Sequence, residues 1–236
     1  MNDPVVEASD VVKFLGHGAA RVQALRGVSL SLGAGELALL MGPSGSGKTT
    51  LLSVLGCMLS PNMGSVRVCG RSTAGLSPEQ LTQLRRDHIG FVFQSYHLFP
   101  TLTAMDNVRL TLDVRSDFSR RVIDRAKEAL ATVGLSHKTR SYPLELSSGE
   151  QQRVAIARAV IGDAAAILAD EPTAALDGEN GHAVMSILAG IARQGTRGVL
   201  VVTHDPRILP FADRIIHIED GRIVREAGNG GSSAKP

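Results

Sequence analysis

The chain has 236 residues, of which 43% are hydrophobic, and a net charge of +2. This suits one large α/β domain with a substantial core and excludes general disorder. Nearly balanced charge with no basic run argues against a nucleic-acid partner, and no apolar run approaches the roughly 18 residues of a membrane span. Cys57 and Cys69 form neither a metal spacing nor a disulfide framework, which suits a reducing cytosol. Met1-Asn2-Asp3-Pro4 lacks the charged head and apolar stretch of a signal peptide.

In chain order, residues 28–32 alternate as a half-buried strand, and residues 36–41 read as a buried one. The latter runs into Gly42, Pro43, Ser44, Gly45, Ser46, Gly47, Lys48 and Thr49, which fit the phosphate-cradling pattern G-x-x-x-x-G-K-[ST]. A helix over 49–55 follows, with Thr50 in its first turn. The glycines let the backbone turn tightly, so that several N–H groups converge beside a helix N-terminus. Lys48 then supplies a cation to the β- and γ-phosphates, and the Thr49 hydroxyl supplies a ligand for Mg²⁺. Residues 66–68 suggest a further strand. Ser77 caps a helix that Pro78 opens and that runs to Arg86. Residues 89–93 form a buried strand ending at Gln94.

From Ser95 to about Val160 helical patterns replace strand signals, and this stretch reads as an inserted helical lobe. A helix over 119–133 would place Val122, Ile123, Ala126, Ala129, Leu130 and Val133 on one face. Leu146-Ser147-Ser148-Gly149-Glu150 then precedes a helical run to Val160. Two hydroxyls and a close-approaching glycine backbone at that helix start make a second anion site. The core resumes with a strand over 164–169 that ends in Asp170 and Glu171. Lying beside the first strand, it would bring Asp170 to the Mg²⁺ shell, and Glu171 could orient and deprotonate an attacking water. Residues 198–202 form another strand, with His204 just beyond it. Residues 214–218 and 222–224 flank Asp220-Gly221 as a hairpin, and the Gly/Ser-rich stretch 227–236 reads as a flexible tail.

This order of motifs resembles the nucleotide-binding subunits of ABC transporters, from about Val11 to Arg225. The resemblance implies one α/β domain over 1–226. Its P-loop (RecA-like) core, about 1–94 and 162–226, would carry a mixed, largely parallel sheet and an N-terminal antiparallel β subdomain. A helical subdomain, about 95–161, would be inserted. The implied ligands are ATP and Mg²⁺, with Thr49, Gln94 and Asp170 at the metal. The implied catalytic set is Lys48, Gln94 of the Q-loop, Glu171 and the switch histidine His204. Ser147, Ser148, Gly149 and Glu150 of the signature, and Asp177 of the D-loop, would complete the nucleotide site. Two departures stand out. The usual signature Leu-Ser-Gly-Gly-Gln has Ser148 and Glu150 here; Ser148 is expected to crowd the closed interface, and Glu150 to point away from nucleotide. Where the family has an adenine-stacking tyrosine, Phe14-Leu15-Gly16 stands, so that Phe14 or a neighbour would meet the base.

A finer resemblance is carried by residues 90–94, by Leu102-Thr103-Ala104 with Asn107-Val108, and by residues 169–173, which are similar to the MacB and LolD group. Thr203-His204-Asp205, Arg207-Ile208-Leu209 and residues 212–215 look most like DevA-type exporter ATPases. This implies a head-to-tail dimer of two copies and a separate integral membrane permease. It further implies a periplasmic adaptor, amphiphilic or lipid-like substrates, no nucleic acid, and a place on the cytoplasmic face of the inner membrane. The alternative is a non-transport ABC ATPase of translation or DNA repair. Those have fused paired cassettes, or a coiled-coil insertion with a basic face, and neither pattern is present in the sequence.

Overall fold

The computed structural model describes residues 3–114 and 121–228. Its elements are β1 (Val6–Leu15), β2 (Val22–Leu32), β3 (Leu37–Met41), α1 (Lys48–Leu55), β4 (Met63–Val68), β5 (Arg71–Ser72), α2 (Pro78–His88) and β6 (Ile89–Val92), followed by α3 (Ala104–Val114), α4 (Val122–Thr132) and α5 (Ser148–Val160). The chain then forms β7 (Ala166–Asp170), α6 (Gly178–Arg193), β8 (Gly198–Thr203), β9 (Arg214–Glu219) and β10 (Arg222–Gly228).

Short apolar runs become the strands of a six-stranded sheet in the order β10-β9-β3-β8-β7-β6. Strands β9, β3, β8, β7 and β6 are parallel, and β10 folds back antiparallel on β9. The runs are continuously apolar because both faces are covered. Leu37 and Leu39 of β3, Ile167 and Ala169 of β7, and Val199 and Val201 of β8 face a core shared with α3, α4, α5 and α6. Their neighbours Ala38, Leu40, Leu168, Leu200 and Val202 face the opposite core, shared with α1 and a second sheet. That second sheet is antiparallel, in the order β2-β1-β4-β5.

Local chemistry explains most boundaries. Ser77 and Gln80 form a reciprocal capping box at the start of α2, with Pro78 in the first turn. Asp220 and Gly221 both hold positive φ, 45° and 75°, as a two-residue turn matched to strand twist requires. The stripe expected on α4 is buried at Val122, Ala126, Ala129, Leu130 and Val133, whereas Ile123, at its edge, is exposed. Residues 119–120 of that expected helix lie outside the described residues, as does the expected tail from 229 onward; residues 227–228 belong to β10.

Strand β7 does not lie beside β3, contrary to the reading from sequence: β8 intervenes and pairs with both. Among the described residues, no helix is long and apolar enough to cross a membrane.

Candidate functional site

All the parallel strands point their C-terminal ends the same way, and loops at such ends are where α/β sheets build sites. Strand β3 delivers the 42–47 loop. Two glycines there have no substitute. Gly47 holds φ 103°, and a Cβ on it would lie 2.6 Å from the carbonyl oxygen of Ala24. A Cβ on Gly42 would lie 2.1 Å from the carbonyl oxygen of Ile218. Gly47 is the N-cap of α1, and no side chain caps that helix. Its first N–H groups are thus left for an anion. The Lys48 ammonium bridges the loop, donating to the carbonyl oxygens of Gly42 and Pro43 at 2.8 Å each. Ser46 lies buried under the loop, where its carbonyl accepts from the Gly221 N–H at 3.0 Å.

Strand β7 delivers two carboxylates. Asp170 Oδ1 accepts from Thr49 Oγ1 at 3.5 Å: Thr49, in the first turn of α1, reaches the end of β7, although β8 separates β7 from the β3 strand that precedes α1. Burial pushes the Asp170 carboxyl above its usual range; the Thr49 hydrogen bond opposes this, the Glu171 charge adds to it, and the Lys48 charge opposes it. Glu171 holds φ 47°, a left-handed conformation uncommon outside glycine and a mark of functional positions. Its N–H donates to the carbonyl oxygen of Val202 at 2.9 Å, and its Oε1 lies 2.7 Å from His204 Nδ1.

The β7–β8 register accounts for that pair. Asp170 sits opposite Val202, so the residues just past the two strand ends meet. Asp205, next in chain, accepts from the Arg207 N–H at 2.9 Å and begins the following turn, which fixes the backbone around His204. The Arg207 guanidinium holds the Asp205 carboxyl below its usual range. Gln94 extends beyond β6, and its exposed side chain faces the same space.

Together these loops border a cleft of about 760 Å³, within the range of small-molecule sites. Gly42, Pro43, Ser44, Gly45, Gly47, Lys48, Thr49 and Thr50 line it, together with Gln94, Glu171 and His204. Leu15, a neighbour of Phe14, lines it too, with Asp220 and Gly221 of the expected turn; Val22, Gln23, Ala24 and Arg26 also line it, and nothing in the sequence had pointed to them. Phe14 is a correction. It lies in a separate pocket, under the Arg21 guanidinium at 4.0 Å from the ring centroid, while Leu15 faces the cleft. Successive strand residues point to opposite faces, so a one-residue change of register exchanges them.

The second helix start is built differently. The Ser147 hydroxyl accepts from the Glu150 N–H at 3.2 Å, and Glu150 Oε2 accepts from the Ser147 N–H at 2.8 Å. The Ser147 N–H, Lys138 and the Ser147 hydroxyl hold the Glu150 carboxyl below its usual range against its partial burial. Glu150 is thus a helix cap turned back on its own chain. Burial pushes the Tyr96 phenol above its usual range, and the neighbouring Ser148 side chain opposes this. Gly149 packs on α6: a Cβ on it would lie 2.5 Å from Asn180 Oδ1. Asp177 caps α6, accepting from the Asn180 N–H and side-chain amide at 2.8 Å each. None of Ser147, Ser148, Gly149, Glu150 and Asp177 lines the cleft of this chain.

Comparison with known proteins agrees with this geometry. The ABC transporter family model matches residues 25–174. The macrolide export ATP-binding/permease protein MacB of Shigella flexneri is 44% identical over 94% of the chain. The chain spans about a third (34%) of the length of that curated relative. The dimeric post-hydrolysis structure of the ATP-binding cassette MJ0796, bound to ADP and Pi, superposes with a TM-score of 0.88 and 40% identity, covering 96% of this chain and 100% of that one. A second dimeric structure of MJ0796, described as a bacterial ABC transporter cassette, gives 0.87 and 39%, with 96% and 100% covered.

Proposed function

Because the chain belongs to the ABC transporter family, whose cassettes hydrolyse ATP to drive transport, we propose that the 760 Å³ cleft is its ATP site and that it powers a separate membrane permease. One observation carries the reading: four neighbouring strand ends, those of β6, β7, β8 and β3, bring Gln94, Glu171, His204 and the Gly42–Thr49 loop to one cleft.

The residues divide the work by their chemistry. The α1 N–H groups and Lys48 bind the phosphates, Lys48 leaving the carbonyls of Gly42 and Pro43 to do so. The Thr49 hydroxyl and the Asp170 carboxylate, 3.5 Å apart, are hard oxygen donors of the kind Mg²⁺ requires, with the Gln94 amide oxygen as a third. Bound there, Mg²⁺ would neutralise charge on the β- and γ-phosphate oxygens. The Glu171 carboxylate accepts the proton of the attacking water. His204 holds that carboxylate at 2.7 Å and keeps its other ring nitrogen for the γ-phosphate.

The Ser147–Gly149 helix start does not line its own chain's cleft, which supports a second copy, head to tail, as the partner that uses it. The MacB relative is named for macrolide export. On that basis the cassette serves an exporter of amphiphilic or lipid-like molecules at the cytoplasmic face of the inner membrane, with an adaptor reached through the permease. Lys48→Ala tests the phosphate site. It is expected to weaken ATP binding and lower hydrolysis by about 100-fold or more. Normal turnover with an intact Mg²⁺ requirement would place the site elsewhere.

A further inference from the structure

We propose that Arg158 is a positioning residue for Gln94: it locks the loop after Gln94 onto helix α5, so that α5 and Gln94 move as one body. The inference rests on the proposed role of Gln94 in the cleft.

Arg158 occupies the last turn of α5. Its Nη1 donates to the carbonyl oxygen of His97 at 2.5 Å, and its Nη2 to that of Tyr96 at 2.7 Å. Tyr96 and His97 both hold left-handed backbone, φ 59° and 49°, which bulky side chains rarely adopt. Two such residues in succession need an outside restraint, and the guanidinium fork supplies it by engaging both carbonyls at once. Burial pushes the Arg158 pKa down, and among the described residues no carboxylate pairs with it. A desolvated cation matched by backbone carbonyls is costly to separate from them, which makes this a stiff connection.

Other contacts fix the same segment. At the opposite end of α5, ten residues and roughly 15 Å away along the helix, Ser148 neighbours the Tyr96 side chain. Tyr96 is thus held by its carbonyl at one end of the helix, and its side chain reaches toward the other. The His97 ring lies 4.7 Å from the Phe93 ring, next to Gln94. Further along, fully buried Asn107 of α3 accepts from the Phe99 N–H at 2.8 Å and donates to the carbonyls of Phe99, Leu102 and Thr103 at 3.0–3.1 Å.

The test compares Arg158→Met and Arg158→Lys, alone and combined with Gln94→Ala. The readouts are binding of a fluorescent ATP analogue, steady-state turnover, and hydrogen exchange of the amides from 95 to 99. Arg158→Met is expected to leave binding within about twofold and lower turnover about tenfold. Adding it to Gln94→Ala should cost nothing further, because both disable one element. Arg158→Lys, which reaches one carbonyl at a time, should fall between, and exchange over 95–99 should quicken in both while that of residues 42–49 does not. Should Arg158→Met fail to fold, Arg158→Lys carries the test, with the same non-additivity expected at smaller amplitude. Losses that multiply in the double variant, parent-like turnover, or unchanged exchange over 95–99 would each overturn the proposal. Parent-like turnover in Gln94→Ala alone would instead refute the role of Gln94, and the exchange data would still report on the clamp.

Discussion

Two helix starts in this molecule, those of α1 and α5, are built to opposite plans. Helix α1 begins at a glycine with φ 103°, and no side chain caps it. Helix α5 begins at Ser147 and closes its own first turn with the Ser147–Glu150 capping box. An uncapped start keeps its N–H groups for a ligand and carries the cost in stability until the ligand arrives. A capped start is stable alone and has fewer donors to offer. The first suits a primary phosphate site. The second suits a surface that completes a site formed mainly by another molecule.

The two glycines at these starts separate the cases most sharply. Gly47→Ala meets both the left-handed backbone and the Ala24 carbonyl, so the loop must shift. It is expected to weaken ATP binding about 10- to 100-fold, the equivalent of roughly 1–3 kcal/mol of backbone strain. Gly149→Ala meets only the Asn180 side chain, and should spare ATP binding while lowering turnover. Equal binding losses in calorimetric titrations of the two variants would abolish the distinction.

A smaller effect is expected at Asp170, whose carboxyl burial raises above its usual range. A carboxyl that holds its proton more tightly when folded makes the folded state bind more protons in that window. Stability then falls as pH rises from the ordinary carboxylate range through the raised value, and the cost is fully present at neutral pH. Asp170→Asn should therefore melt higher than the parent at neutral pH without nucleotide. The gain should vanish in acid, and Mg²⁺-dependent nucleotide binding should be lost. A variant that melts lower at neutral pH would show that the Thr49 hydrogen bond outweighs burial.

The smallest effect belongs to Ser147→Ala, which removes the cap of α5 and should lower stability by about 1 kcal/mol in denaturant titration. Its nucleotide binding as a monomer should equal that of the parent. A loss of that binding would mean that α5 serves its own chain's cleft.

Much of the cleft is legible in the sequence, because its parts are local. The Gly42–Thr49 loop, the Asp170-Glu171 end and the Asp220-Gly221 turn are each specified by adjacent residues. What was hidden is non-local or broken in pattern. Strand β1 escaped because Asp10, with φ 51°, sits at a register shift that breaks the alternation of apolar residues. The same shift of phase hid which of Phe14 and Leu15 faces the cleft. Helix α6 escaped because Gly178, Gly181 and Gly190 dilute its propensity; Gly181 packs against Thr173 instead. The placement of β8 between β3 and β7 depends on chain crossovers that no single segment encodes. Glu150, expected to point away from nucleotide, is seen to do so as a cap on its own chain, a partner the sequence did not name.

The central claim is that two copies complete each ATP site, the cleft of one meeting the α5 start of the other. Sedimentation of Glu171→Gln with ATP and Mg²⁺ addresses it most directly, since the amide cannot accept the proton of the attacking water. The variant is expected to bind ATP without turnover and to sediment as a dimer. It should be a monomer without nucleotide, and a monomer again when Gly149→Ala is added. A variant that binds ATP yet remains a monomer at every protein concentration, while turning over ATP like the parent, would contradict the account.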